Sequence, residues 1–423
     1  MKNKLFTKDF TLVMIGQIIS IFGNQIIRYA LPIYLLTQTG SASLYGFVMA
    51  ISFVPMIVLS PIGGIIADRM NKRNIMVVLD FTTAILSFTY MLIRGHFALV
   101  PLIIAVLMLL YAIQGAYQPA VQGSLPLLVS KENLTQANSI VNGISSLANI
   151  IGPALGGVFL ASFGLNMILA IGTICFLASA IMEIFIHIPY TRIQDNKKPL
   201  EILYSDMKES LHFISNEHKE IGKIVSICVL INLLFSSLIM VGFPVIVTKY
   251  LGFYGDTALK LQGLSESSLA IGGLAGAMLT GLLAKKLNVR HTPMAITVCA
   301  IMLLPIGFIL SFSLKGMLGF GILIGASFLM MVSSAIFNIQ LITYLQIASP
   351  SNMISKLMAL VSSLCMCATP LGQLIYGYLF EHLNTNCGIL FYLVCAITCF
   401  LSYQCKKALK SENLDVSCTL TTC

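Results

Sequence analysis

The chain has 423 residues, 57% of them hydrophobic and only 10% charged, with a net charge of +9. A soluble domain carries roughly 25% charged residues, so this composition, with a mean hydropathy of +0.91, excludes a soluble enzyme and also a disordered chain, which needs high charge and low hydrophobicity. Apolar residues run along the whole length, which excludes a single-span receptor and leaves a polytopic helical membrane protein.

Residues 1–9 are short and basic, and the apolar run after them is too long for a signal-peptide core and has no small-residue cleavage site. It reads as an uncleaved first span. Runs long enough to cross a bilayer as helices follow at 12–37, 42–66, 74–94, 98–127, 137–162 and 165–188. After a polar stretch come 222–248, 265–284, 292–314, 316–346, 356–380 and 386–405. The expected organisation is an N-terminal six-helix half (1–188), a cytoplasmic linker (189–222) with an amphipathic helix near 199–216, a C-terminal half (223–405) and a cytoplasmic tail (406–423).

The cations test this layout, because cytoplasmic loops hold excess Lys and Arg. With the N-terminus inside, 20 of the 25 fall in inside segments, against four outside: Arg94, Lys249, Lys260 and Lys315. Arg28 lies within a span. The asymmetry supports twelve spans with both termini cytoplasmic, and it explains the positive charge without nucleic acid. The 11 cysteines lie largely in apolar runs, as at Cys175, Cys299, Cys395 and Cys399, with no metal-ligand spacing. They read as free thiols acting as small apolar side chains, and no metal or cofactor is expected.

The two halves repeat. At an offset of 217 residues, Gly64-Ile-Ile-Ala-Asp-Arg-Met-Asn-Lys-Arg73 aligns without gaps on Gly281-Leu-Leu-Ala-Lys-Lys-Leu-Asn-Val-Arg290, and Pro153 aligns on Pro370. Parallel six-helix repeats are a transporter architecture, with the substrate site near mid-membrane.

The loop Gly64-x-x-Ala67-Asp68-Arg69-x-Asn71-Lys72-Arg73 resembles the signature loop of the major facilitator superfamily, G-x-L-A-D-R-x-G-R-[KR]. Asn71 stands where that pattern has glycine; asparagine also tolerates a left-handed turn. Gly152-Pro153-Ala-Leu-Gly156-Gly157 resembles the glycine-proline motif of the superfamily's antiporters. The stretch from Gln118-Pro to Pro126-Leu-Leu-Val, with Asn133-Leu, Ala137-Asn138-Ser139, Leu31-Pro32 and Thr39-Gly40-Ser41, is similar to the subgroup of macrolide, drug and enterobactin exporters.

The resemblance implies an all-α membrane protein with twelve transmembrane helices in two six-helix pseudo-symmetric halves, the major facilitator fold. It also implies a cytoplasmic gate made by Gly64, Asp68, Arg69, Lys72 and Arg73. There Gly64 would permit close approach, and Asp68 would accept from the N-terminus of span eleven. The cations would meet acids or carbonyls at helix ends, or only enforce topology. In the second copy Lys285 replaces the aspartate. Gly152, Pro153, Gly156 and Gly157 would bend span five and pack it closely, blocking a leak.

Charges inside a span are costly and are functional candidates by default. Three stand out: Arg28, Asp80 and Glu183. Either acid, desolvated, is a candidate to exchange a proton; the alternative puts both at the interface, within reach of Arg73 and the linker. Arg28 shares a face with Asn24 and reads as a counter-charge, a substrate contact or a lock on helix one. Asn24, Gln25, Gln114, Gln118, Asn142, Asn232, Asn338 and Gln340 are candidates to line the cavity. The expected function is proton-coupled export of a hydrophobic or amphipathic small molecule by a monomer embedded in the bilayer. A facilitator or importer of a small metabolite, or an uncoupled lipid or siderophore exporter, is the alternative. No nucleotide-binding loop or nucleophile triad points to an enzyme.

Overall fold

A computed structural model describes residues 5–130, 133–188, 207–217, 219–283, 289–349, 353–383 and 386–411. Among these residues the regular structure is all helical. The first half contributes α1 (Lys8–Thr39), α2 (Ala42–Arg69), α3 (Lys72–Ile93), α4 (Leu99–Leu128) and α5 (Leu134–Ile184). The second contributes α6 (Lys219–Tyr250), α7 (Gly255–Leu282), α8 (Thr292–Ser311), α9 (Gly316–Ala348), α10 (Ile354–His382) and α11 (Gly388–Ser411).

Ten of these helices are long and apolar enough to cross a membrane. The expected spans five and six fall on one helical run, α5, which breaks only at Gly164, with φ 73° and ψ 178°. The contacts of α1 show how α5 turns there. Gly152 and Gly156 sit on Gln25 and Tyr29, whereas Gly172 sits on Ile27 and Ser179 on Gly16. The first limb therefore runs parallel to α1 and the second antiparallel, so the chain reverses at one glycine. The expected span 265–284 begins earlier, at Gly255, because a polar first stretch (Gly255–Gln262) is helical as well. The linker stretch from 189 to 206 lies outside the described residues, and 207–217 is helical with a π turn at Phe213–Glu217.

Sequence periodicity explains the faces. In α3, Met76, Asp80, Thr83, Ser87 and Tyr90 are buried, while Val78, Ile85 and Leu92 are more than half exposed at intervals of seven. A polar-bearing stripe faces the protein and an apolar stripe faces outward, the arrangement of a helix solvated by hydrocarbon. The helix ends are capped locally. Thr7 accepts from the Phe10 amide at 3.2 Å and Ser41 from the Leu44 amide at 3.1 Å, while Gly40 closes α1 in the left-handed region, at φ 63°.

The chain packs as two compact units. One holds the described residues up to 188 together with Phe253–Ser267; the other holds 207–252 and 268–411. In the first unit α1 lies against α5, and α2 against α4. Small residues make the closest approaches, as expected where packing rather than water drives helix association. A Cβ at Gly63 would stand 2.6 Å from the Ala116 backbone, whereas Gly64 has nothing within 4 Å. Among the described residues the close contact of α2 with α4 is made at Gly63. In the second unit α6 carries two π turns, Asn232–Ser236 and Ile246–Tyr250. The first is relieved by Ser237, which donates to Asn232 O at 3.2 Å and to Thr369 O at 3.0 Å.

Candidate functional site

Two carboxylates are buried together in the first unit. Asp80, on α3, is 2% exposed, and Glu183, near the end of α5, is 0% exposed. They lie near enough to interact electrostatically. Tyr117 on α4 donates to Glu183 Oε1 at 2.8 Å and accepts from Gln17 Nε2 of α1 at 3.0 Å. Ser20, one turn further along α1, donates to Asp80 Oδ1 at 2.9 Å. Four helices thus converge on one polar cluster. Its second oxygens, Asp80 Oδ2 and Glu183 Oε2, and Gln17 Oε1, have no hydrogen-bond partner. Among the described residues no Lys or Arg forms an ion pair with either acid.

The alternative of an interfacial pairing with Arg73 takes a different form. Arg73 Nε donates to the Glu183 backbone carbonyl at 3.4 Å, and its Nη2 donates to Ile184 O. It therefore meets the last carbonyls of α5, where a cation complements the helix end, and leaves the carboxylate alone. Asp9 accepts from the His187 amide at 2.9 Å just beyond.

Arg28 lies further along α1. Its guanidinium donates to Gln114 Oε1 at 3.1 Å, sits 3.5 Å from Asn24 Oδ1 and stacks 3.9 Å from the Tyr111 ring centre. Among the described residues it has no carboxylate partner. A small cavity between the two groups is lined by Ser20, Asn24, Asp80, Gln114, Tyr117 and Gln118. Of the expected residues, Asp80, Asn24, Gln114 and Gln118 line it, while Arg28 reaches it through Gln114 and Asn24 and Glu183 through Tyr117.

Other expected residues fall elsewhere. Gln25 bonds to Asn149, and Asn142 is exposed. Asn232 and Asn338 donate to backbone carbonyls of their own helices, Cys228 O at 3.1 Å and Ser334 O at 2.9 Å. Gln340 is buried with its Oε1 unpartnered.

The gate motif divides in the same way. Asn71 caps α3, accepting from the Arg73 amide at 3.0 Å with φ −65°. It acts through its side chain, without the left-handed turn that its place in the pattern suggested. The stem of Lys72 lies against Gly123, and Arg69 is half-buried at the end of α2. The Asp68 side chain and the second-half copy at 284–288 lie outside the described residues.

The glycine-proline motif is a packing seam. A Cβ at Gly152 would meet Gln25 at 2.7 Å, one at Gly156 would meet the Tyr29 ring at 2.7 Å, and one at Gly157 would meet Leu259 O of α7 at 2.6 Å. Gly263 of α7 sits directly on Pro153 O. Tyr29 donates to Leu259 O at 3.3 Å and Ser267 to Ile150 O at 2.5 Å.

One acid escaped the sequence reading. Glu266 sits 11 residues into α7 and accepts from Gln262 Nε2 at 3.2 Å. Placing the span boundary at 265 made it an end residue. The helix-compatible stretch from Gly255 to Ser265 was the signal that would have put it inside.

The architecture is that of a multi-pass helical membrane transporter. Residues 13–372 match the model of the Major Facilitator Superfamily, and the chain belongs to that superfamily. It is 23% identical over 408 residues to macrolide efflux protein A of Streptococcus pyogenes, covering 94% of this chain and 96% of that protein. It is 23% identical over 367 residues to the multidrug efflux pump Tap of Mycolicibacterium fortuitum, covering 84% of this chain and 85% of that one. Among solved structures, a mutant of the nucleoside transporter NupG superposes with a TM-score of 0.75 at 12% identity, covering 95% of this chain and 99% of that one.

Proposed function

We propose that the chain exports a hydrophobic or amphipathic small molecule across a cytoplasmic membrane, drawing on a proton gradient through Asp80 and Glu183. One observation carries the reading: two buried acids share a polar cluster with three unpartnered oxygens and, among the described residues, no ion-paired cation. Two negative charges in hydrocarbon without a counter-ion are too costly to persist. A proton is the smallest compensating charge, and its loss or gain changes the cluster's hydrogen bonding. Efflux-named relatives support the direction and substrate class. Alternating access by two six-helix halves, both termini cytoplasmic, is the accompanying architecture.

The test is efflux of a dye or macrolide from a host lacking its main exporters, with and without a proton uncoupler. Uncoupler-sensitive efflux is expected. Asp80→Asn and Glu183→Gln are each expected to lower the uncoupler-sensitive rate tenfold or more. Efflux that ignores the uncoupler, or a double variant that stays coupled, overturns proton antiport.

Arg28 favours a second reading. A half-buried guanidinium with amide and aromatic partners among the described residues suits a substrate that brings its own acid group, as a siderophore or small metabolite does. Uncoupler-insensitive transport of a carboxylate compound, lost in Arg28→Gln, would select it.

A further inference from the structure

The second unit contains a cavity of about 690 Å³ that the transport reading does not use. It lies where residues 207–217 fold against the first turns of α6 and the last turns of α11. Its lining is part charged and part apolar. Among the described lining residues, Lys219, Lys223 and Lys407 contribute three ammonium groups and Glu220 a carboxylate, tied to Lys223 at 2.7 Å, which leaves two positive charges in excess. Neither Lys219 nor Lys407 has an ion-pair partner among the described residues. Leu211, Ile214, Ile227 and Leu401 line it beside the lysines, and Leu211 is 46% exposed.

The cavity is held in shape by its surroundings. Gly222 lets the Ile214 carbonyl approach so closely that a Cβ would stand 2.5 Å from it. Phe213 and Ser210 are buried, and Lys356 of α10 grips Glu209 at 2.6 Å. The 207–217 segment is therefore a fixed wall.

Position along the membrane-length helices narrows the ligand. Lys219 opens one membrane-length helix and Lys407 lies in the last turns of another. Helix ends stand at headgroup depth, so ammonium groups there meet lipid phosphates while adjacent apolar side chains meet acyl chains. A free phosphate would use the lysines and gain nothing from the apolar side chains. We propose that this cavity binds an anionic phospholipid, its phosphate held by Lys219, Lys223 and Lys407 and the start of an acyl chain lying along Leu211 and Leu401. The bound lipid braces the linker segment, α6 and α11 as one body.

The test uses the purified full-length chain in nanodiscs of phosphatidylcholine, with and without phosphatidylglycerol. Phosphatidylglycerol is expected to raise the melting temperature of the wild type. The triple variant Lys219→Gln/Lys223→Gln/Lys407→Gln is expected to lose that increment while melting normally in phosphatidylcholine. Titrated short-chain phosphatidylglycerol should bind it about a hundredfold more weakly, about fivefold for each lysine removed. The corresponding triple arginine variant should retain the increment. A glutamine variant that keeps it overturns the site, and inorganic phosphate that stabilises the wild type as well as the lipid does overturns the lipid assignment. If the glutamine variant melts low in phosphatidylcholine alone, Leu401→Trp decides in its place. That variant narrows the cavity where the acyl chain is placed and leaves the charges intact, so loss of the increment supports the proposal and retention overturns it.

Discussion

Tyr117 carries one hydroxyl and two obligations. It donates to Glu183 and accepts from Gln17, partners 66 and 100 residues away in sequence. Tyr117→Phe removes one hydrogen bond from each and leaves both in a buried site. Measured interhelical hydrogen bonds in membranes are modest, averaging about 0.6 kcal/mol with a maximum near 1.7. We therefore expect Tyr117→Phe to lower the stability of the purified protein by about 1 kcal/mol, read by thermal melting, while uncoupler-sensitive efflux falls by more than that loss explains. Equal, small effects on both would make Tyr117 a packing residue. At this scale the sequence was legible by cost: an acid in hydrocarbon is expensive, and Asp80 and Glu183 stood out for that reason. Which groups meet them was not legible, because burial pairs residues across helices whose rotation no single-sequence period fixes. Glu266 was missed because a span boundary drawn at 265 turned an internal acid into a terminal one. The local bonds of Asn232 and Asn338, whose amides serve carbonyls of their own helices, were not legible either.

At the scale of the element, the seam between α5 and α7 is set by backbone against backbone. Gly157 stands on Leu259 O, and Gly263 on Pro153 O. A larger side chain cannot yield here, because the opposing atoms are main chain. Gly157→Leu and Gly263→Leu should each destabilise by about 1–3 kcal/mol, the usual range for overpacking. Gly64→Ala, at a position with nothing within 4 Å, should leave the melting temperature nearly unchanged. Melting curves of the three variants, side by side, check the contrast. The glycine-proline motif was readable as a packing device, but its partner was not. The motif names one helix, and only the fold supplies α7 as the other. The contrast between Gly63 and Gly64 has the same origin: a one-residue shift turns a helix by about 100°.

For the whole molecule, the shortage of charge and the run lengths sufficed to give a polytopic helical membrane protein, and the 217-residue repeat gave its duplication. What they could not give was the grouping. The start of α7, Phe253–Ser267, packs in the unit formed by the first half of the chain, because complementary small residues decide helix neighbours and hydropathy does not. Orientation rests on the cation asymmetry and has a direct test. On a cysteine-free background, Tyr254→Cys, at a site 84% exposed between α6 and α7, should react with a membrane-impermeant maleimide in intact cells. Ser411→Cys, at the end of α11, should react only after permeabilisation. The reverse pattern would invert the topology.

Gly164 bears on how such a chain is made. The two limbs of α5 are separated by a single residue in a backbone region that is essentially glycine-only. No hydrophilic stretch between them is long enough to rest in water while the second limb is still being synthesised. The two limbs are thus expected to enter the bilayer together, as a hairpin. A side chain at 164 has open space but strains the backbone of the turn, so Gly164→Val is expected to lower the amount of protein integrated into the membrane during biosynthesis, read by carbonate extraction.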